Sequence, residues 1–176
     1  MRSRGGMCAA LFLCMAGLSG SGKGAPLPAA IAVAATQALL LEARAEGVQV
    51  YACKARMGDR TSLEWTLVAP EADLLDATGR KIGRHGSGPS WELDDGSRVV
   101  GKVLAREDAP DPAAVAWLLL GVKESAARGI LARTDKIQRV DTSGGKPPGS
   151  HCDKFQENRE FRSPYRATYR FYGPPN

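Results

Sequence analysis

The chain is 176 residues long, with 43% hydrophobic residues, 24% charged residues and a formal net charge of +5. That composition fits one globular domain of ordinary size and excludes a wholly disordered chain, a collagen-like chain and a multi-pass membrane protein. Only 6% of residues are aromatic, whereas 20 Gly and 11 Pro predict many turns.

The chain opens on MRSRGG, where Arg2, Arg4 and the α-amino group are positive. Met7–Leu18 is an unbroken apolar or small run, too short to span a bilayer comfortably, and small residues follow from Ser19 to Ala25. A basic start, a short apolar run and small residues make a secretory signal peptide. The expected cleavage lies between Gly20 and Ala25. Residues 1–24 are therefore assigned as signal peptide, 25–36 as an N-terminal linker and 37–176 as one folded domain. A retained N-terminal anchor is the competing reading. Neither Cys8 nor Cys14 follows the small residues that a lipoprotein signal needs. Gly17–Gly24 (GLSGSGKG) imitates a P-loop, but Gly24 stands where Ser or Thr must hold Mg²⁺.

Losing Arg2, Arg4 and Lys23 takes the 24 basic residues to 21 against 19 acidic ones, a net charge of +2. Such a charge gives no case for nucleic acid as a partner or for a membrane surface. No transmembrane span is expected in the mature chain.

Cys53 and Cys152 remain, and two cysteines in an oxidising compartment read as one disulfide. It would close a loop of about 100 residues, worth at most roughly 4–5 kcal/mol in the chain-entropy model. Two separate buried thiols are the alternative. A catalytic cysteine has little support, because neither sulfur has an evident histidine partner.

The folded region reads as strands and turns. Ala38–Ala45 alternates with period two, and Gly47 is expected to break or bulge it before a second segment, Val48–Lys54. Leu63, Trp65 and Leu67 line one face of the next strand, which Pro70 should end. Asp73–Asp76 and Arg80–Arg84 flank a turn at Ala77–Gly79. Asp95-Gly96 marks a hairpin between Trp91–Leu93 and Val99–Leu104. Val115–Val122 is apolar on both faces and reads as a central buried strand. Ile130–Thr142 holds one or two more strands, and Ser143–Ser150 is a polar loop. In the last strand Tyr165, Ala167, Tyr169 and Phe171 alternate with Arg166, Thr168, Arg170 and Tyr172. About eight short strands without a repeat predict an all-β, single-domain antiparallel sandwich or short barrel.

Several stretches together resemble a known family. They are GVQVYACKA at 47–55, LDATGRKIGRHGSGPSWELDDGSRVVGKV at 75–103, AWLLL at 116–120, IQRVDTSGGKPPGSHC at 137–152 and PYRATYRFY at 164–172. In order and spacing they resemble the exported bacterial and fungal proteins of domain of unknown function 3455, over roughly residues 37–172. The resemblance implies a secreted domain of unsettled activity. Some fungal relatives carry a malate dehydrogenase label, for which this chain shows neither a G-x-G-x-x-G fingerprint nor a βαβ pattern. The family's His-x-x-Gly-Pro-x-Trp stretch is present as His85, Gly88, Pro89 and Trp91. Gly86 replaces the usual aromatic after the histidine, so a pocket shaped by that aromatic would be wider or absent here.

His85 is the leading site candidate, at a strand end beside a Gly-rich loop. With Glu92, Asp94 or Asp95 it would make a general base or a metal ligand, and otherwise it orders the turn. No zinc spacing is present, and a plain hairpin accounts for Asp94 and Asp95 without calcium. Trp65 and Trp117 are expected in the core, and of the three tryptophans Trp91, beside the Gly-Pro loop near His85, is the best placed for a surface role. Arg139, if inward, needs a carboxylate partner. Arg159, Arg162, Arg166 and Arg170 read as a solvated face, interrupted by Glu157 and Glu160. No serine lies in a G-x-S-x-G elbow.

The sequence therefore predicts an exported, periplasmic or extracellular, non-enzymatic binding or envelope-associated domain. His85, Trp91, Arg139 and Tyr165 are its ligand-binding candidates, and its partner is an unknown small molecule or envelope component. No cofactor and no metal are expected. One alternative is a small secreted enzyme with His85 as general base and a nearby carboxylate. Another is a purely structural secreted domain.

Overall fold

The computed structural model describes residues 27–126 and 128–175. The assigned signal peptide and its cleavage site lie outside them. Eight strands follow in chain order: β1 (Ala38–Arg56), β2 (Asp59–Leu75), β3 (Lys81–Gly86), β4 (Ser90–Leu93), β5 (Arg98–Glu107), β6 (Trp117–Ser125), β7 (Lys136–Gly144) and β8 (Glu160–Gly173). Each pairs antiparallel with the next, and β8 pairs antiparallel with β1, so the sheet closes into a barrel. The all-β antiparallel expectation holds, and of sandwich and barrel the chain forms the barrel. The β2–β3, β4–β5 and β6–β7 connections lie at one end. The other four connections lie at the opposite end, the mouth.

Alternation along β8 shows how the sequence makes an inside and an outside. Tyr165, Ala167, Tyr169 and Phe171 point inward and are buried. Arg166 and Arg170 point outward, directly opposite Glu46 and Glu42 on β1, at 3.7 Å and 2.7 Å. Lys81–Asp73 and Arg84–Glu92 continue the outer charge. This is the reverse of the apolar outer band of a membrane-spanning barrel. No described helix is long and apolar enough to cross a membrane.

Four local expectations are corrected. Gly47 does not break β1, which runs unbroken across it with both neighbours paired. A Cβ there would lie 2.2 Å from the Glu71 carbonyl oxygen, so the glycine lets β1 press against β2 at a barrel bend. Pro70 does not end β2. The strand pairs with β1 at Pro70, opposite Gln49, but with β3 only from Ala72 to Leu75, so Pro70 lies where one edge of β2 is free, the kind of position in which a strand tolerates proline. Ile130–Arg133 is a 3-10 helix, not a strand, and its buried Leu131 plugs the barrel end opposite the mouth.

The fourth correction concerns the assigned linker. Its described part forms a 3-10 helix at Ala29–Ile31 packed on the outside of the barrel. Ile31 is fully buried against Trp117 and Val140, and Gln138 Nε2 donates to its carbonyl at 2.6 Å. This explains the two apolar faces of β6: Leu118 and Leu120 serve the interior, while Trp117 and Leu119 lie under Ile31.

Cys53 and Cys152 form the disulfide, with Cα atoms 5.5 Å apart, which removes the free-thiol alternative. The bond ties β1 to the long β7–β8 loop at the mouth. Trp65 lies on the same side, half-buried rather than in the core, with its Nε1 donating to the Ser150 carbonyl.

Candidate functional site

Side chains at the mouth end surround a cavity of about 380 Å³. His85 on β3 and Trp91 on β4 are cross-strand partners, and their rings stack at 4.6 Å and 8°. Tyr169 on β8 meets both edge-on, at 4.9 Å from His85 and 5.2 Å from Trp91. Arg139 on β7 stands directly opposite Tyr169. Gln49 on β1 joins them in the wall, and the exposed apolar side chains of Leu67, Val68 and Val103 form the rim.

Trp91 is not a surface residue: it is 1% exposed and inward-facing, because period two from buried Leu93 turns it into the barrel. His85 is 3% exposed. Its Nδ1 lies 2.8 Å from the Ser90 carbonyl oxygen. A carbonyl only accepts, so Nδ1 carries the proton and Nε2 is the acceptor of a neutral ring. Burial pushes the His85 pKa down to about 3, and the Arg139 charge pushes the same way against the Ser90 bond.

The carboxylates proposed to assist His85 are turned elsewhere. Glu92 faces outward, 3.5 Å from Arg84. Asp95 accepts from the Ser97 N–H and hydroxyl and, at 2.9 Å, from the Ile130 N–H, fixing the 3-10 plug. Among the described residues no carboxylate hydrogen-bonds to His85, and no three His, Cys, Asp or Glu side chains converge as metal ligands.

Arg139 is inward and half-buried, but its expected carboxylate partner is not there. Its Nε and Nη2 donate instead to the Ala116 carbonyl, at 3.1 Å and 2.8 Å. Ala116 precedes β6, so that carbonyl is not engaged in the β6–β7 ladder. Among the described residues Arg139 forms no ion pair. Its charge reaches the phenols of Tyr51, Tyr165 and Tyr169, whose pKa values burial raises.

Tyr165 is not in the cavity wall, but its side chain adjoins Gln49 and Tyr169, which are. The Tyr165 and Tyr169 hydroxyls and Gln49 Nε2 are buried without a hydrogen bond of ordinary geometry, and only loose contacts of Tyr165 with Tyr169 and Gln49, and of Tyr169 with Arg139, stand in for one. A second hollow of about 320 Å³ shares Gln49, Leu67, Arg106 and Arg139 with the first and extends to Lys146. Neither is lined by an Asp or Glu.

The structure thus brings His85, Trp91 and Arg139 together, with Tyr165 just behind. Gln49, Tyr169, Arg106 and the rim were not singled out from the sequence. Gln49 was readable in principle, since it keeps the inward phase of Ala43, Ala45 and Gly47. Gly86, next to inward His85, faces away from this cavity, so an aromatic side chain there would not line it.

The fold and the site define an eight-stranded antiparallel meander barrel, plugged at one end and hollow at the other, a size that admits one small ligand. The chain belongs to the family described as Protein of unknown function (DUF3455), whose model matches residues 34–173. The family resemblance of the sequence is thereby borne out. No curated protein and no solved structure matches the chain.

Proposed function

We propose that this chain is an exported binding protein that holds a small molecule in the mouth of its barrel and catalyses no reaction on it. One observation carries the reading: a cavity of about 380 Å³ with an aromatic wall, an apolar rim and buried polar groups that make no hydrogen bond of ordinary geometry. Ligand sites are commonly concave and mostly apolar, with a few convergent polar groups. Export to the periplasm or the extracellular space is supported by the signal-like N-terminal sequence and by the Cys53–Cys152 bond, since disulfides persist in oxidising compartments.

The test uses N-phenyl-1-naphthylamine, an uncharged dye that brightens in apolar surroundings. Saturable brightening with one site per chain is expected. Val103 is a rim residue and 55% exposed, so Val103→Trp narrows the mouth without disturbing the core. It should weaken dye binding and leave the thermal transition unchanged. No saturable binding by the wild-type protein, or binding indifferent to Val103→Trp, would overturn the reading.

A further inference from the structure

We propose that the ligand is a small amphipathic carboxylate, its head group held by Arg139 and its apolar body lying between Trp91 and the rim. This rests on the cavity being a binding site and names the chemistry of what enters it.

The argument starts from the guanidinium. Arginine has five N–H donors in a planar fork. Nε and Nη2 of Arg139 share the Ala116 carbonyl, which fixes the plane of the group and uses one edge. The Nη1–Nη2 edge remains, with the two parallel donors that a carboxylate takes in a bidentate pair. Beside it stand two further donors that make no hydrogen bond of ordinary geometry, the Tyr169 hydroxyl and Gln49 Nε2, both on side chains at most 2% exposed and in only loose contact with Tyr165. The Tyr165 hydroxyl lies between these two donors and likewise makes no bond of ordinary geometry.

Even half-buried, a cation with no acid among its neighbours is costly to hold, and an anionic ligand relieves that cost. One half-buried guanidinium amid neutral donors suits one negative charge. Arg106 and Lys146 add positive field at the entrance, with no acidic side chain in the lining to oppose them. Leu118, Leu120 and the Leu67–Val68–Val103 rim give no polar match and select an apolar body, against a Trp91 ring whose buried Nε1 is the one unpaired donor on that side.

Octanoate and octan-1-ol test this as a matched pair, each titrated against dye-loaded protein. Octanoate is expected to bind about tenfold or more tightly than octan-1-ol, as a charge-assisted pair implies. Arg139→Met should bring the ratio of the two affinities to near one. Tyr169→Phe, which removes only a hydroxyl, should lower the same ratio several-fold and serves if the Arg139 variant does not fold. Equal affinity of the wild-type protein for the two compounds would overturn the carboxylate inference and leave the binding cavity standing. Failure of the dye and both compounds to bind would overturn the cavity reading itself.

Discussion

His85 is expected to make the barrel sensitive to mild acid. Its folded pKa is pushed down to about 3 by burial, whereas an unfolded histidine titrates near 6.5. Folding therefore favours the neutral ring. The stabilisation is complete above about pH 6.5 and is lost as pH falls toward 3, because the unfolded chain binds one proton more across that window. From about pH 7 to about pH 4.5 the loss comes to roughly 2.5 kcal/mol. Moving the folded pKa by one unit changes that loss by no more than about 0.2 kcal/mol, since the folded ring stays mostly neutral at the assay's lower limit.

The low-lying carboxyls of Asp59, Asp76 and Asp95 do not confuse the measurement. Hydroxyls of Ser62, Thr78 and Ser97 hold them below the ordinary range, as Arg162 does for Glu71, so their stabilisation starts to fall only near the assay's lower limit and falls equally in both proteins compared below. The assay is urea unfolding at both pH values for the wild-type protein and for His85→Gln, whose amide can still donate to the Ser90 carbonyl. The wild-type protein should lose about 2.5 kcal/mol more than the variant between the two conditions. Equal losses in the two proteins would refute a buried neutral His85.

Two other perturbations bear on the frame. Replacing both Cys53 and Cys152 by Ala should cost about 4–5 kcal/mol in urea unfolding, from the loop between residues 99 positions apart. A loss below about 1 kcal/mol would mean that the chain-entropy account fails here. Ile31→Ala should cost about 2–4 kcal/mol, as for a fully buried aliphatic side chain. Tryptophan emission would follow it, since Ile31 packs on Trp117. A cost no larger than that of an exposed substitution would return residues 25–36 to the status of a linker.

Strand content and the inside–outside division were legible because both are local. Period two in Tyr165–Tyr172 and the Asp95-Gly96 turn each lie within a few residues, and both reappear in the barrel. Gly47 and Pro70 misled because their usual effect on a strand is cancelled by neighbours far along the chain: β8 and β2 across Gly47, and a free edge at Pro70. The site was harder still. Its wall takes side chains from all eight strands, so contacts such as Arg139 with Tyr169 depend on closure and register. His85 and Trp91 were accessible because β3 and β4 form a hairpin that makes them direct partners. Arg139 was recognised as a charge in need of a partner, but that the partner is a free carbonyl ahead of β6 follows only from the fold.

The two ends of the barrel provide an internal comparison. At the plugged end Leu74, Leu93, Val99, Leu131, Ile137 and Phe171 fill the interior with apolar side chains. Eight strands can be closed and packed that way. Polarity at the mouth is therefore not demanded by closure. Inward Arg139, Gln49 and Tyr169 occupy positions that Leu or Met could fill without leaving donors unpaired. Buried polar groups without partners each cost on the order of 1–3 kcal/mol. Thr134 Oγ1 beside the plug is one such group, but among the described residues the inward donors Tyr169, Tyr165 and Gln49 stand together only at the hollow end, where the rim is apolar and acids are missing from the wall, and an incoming anion would meet them there.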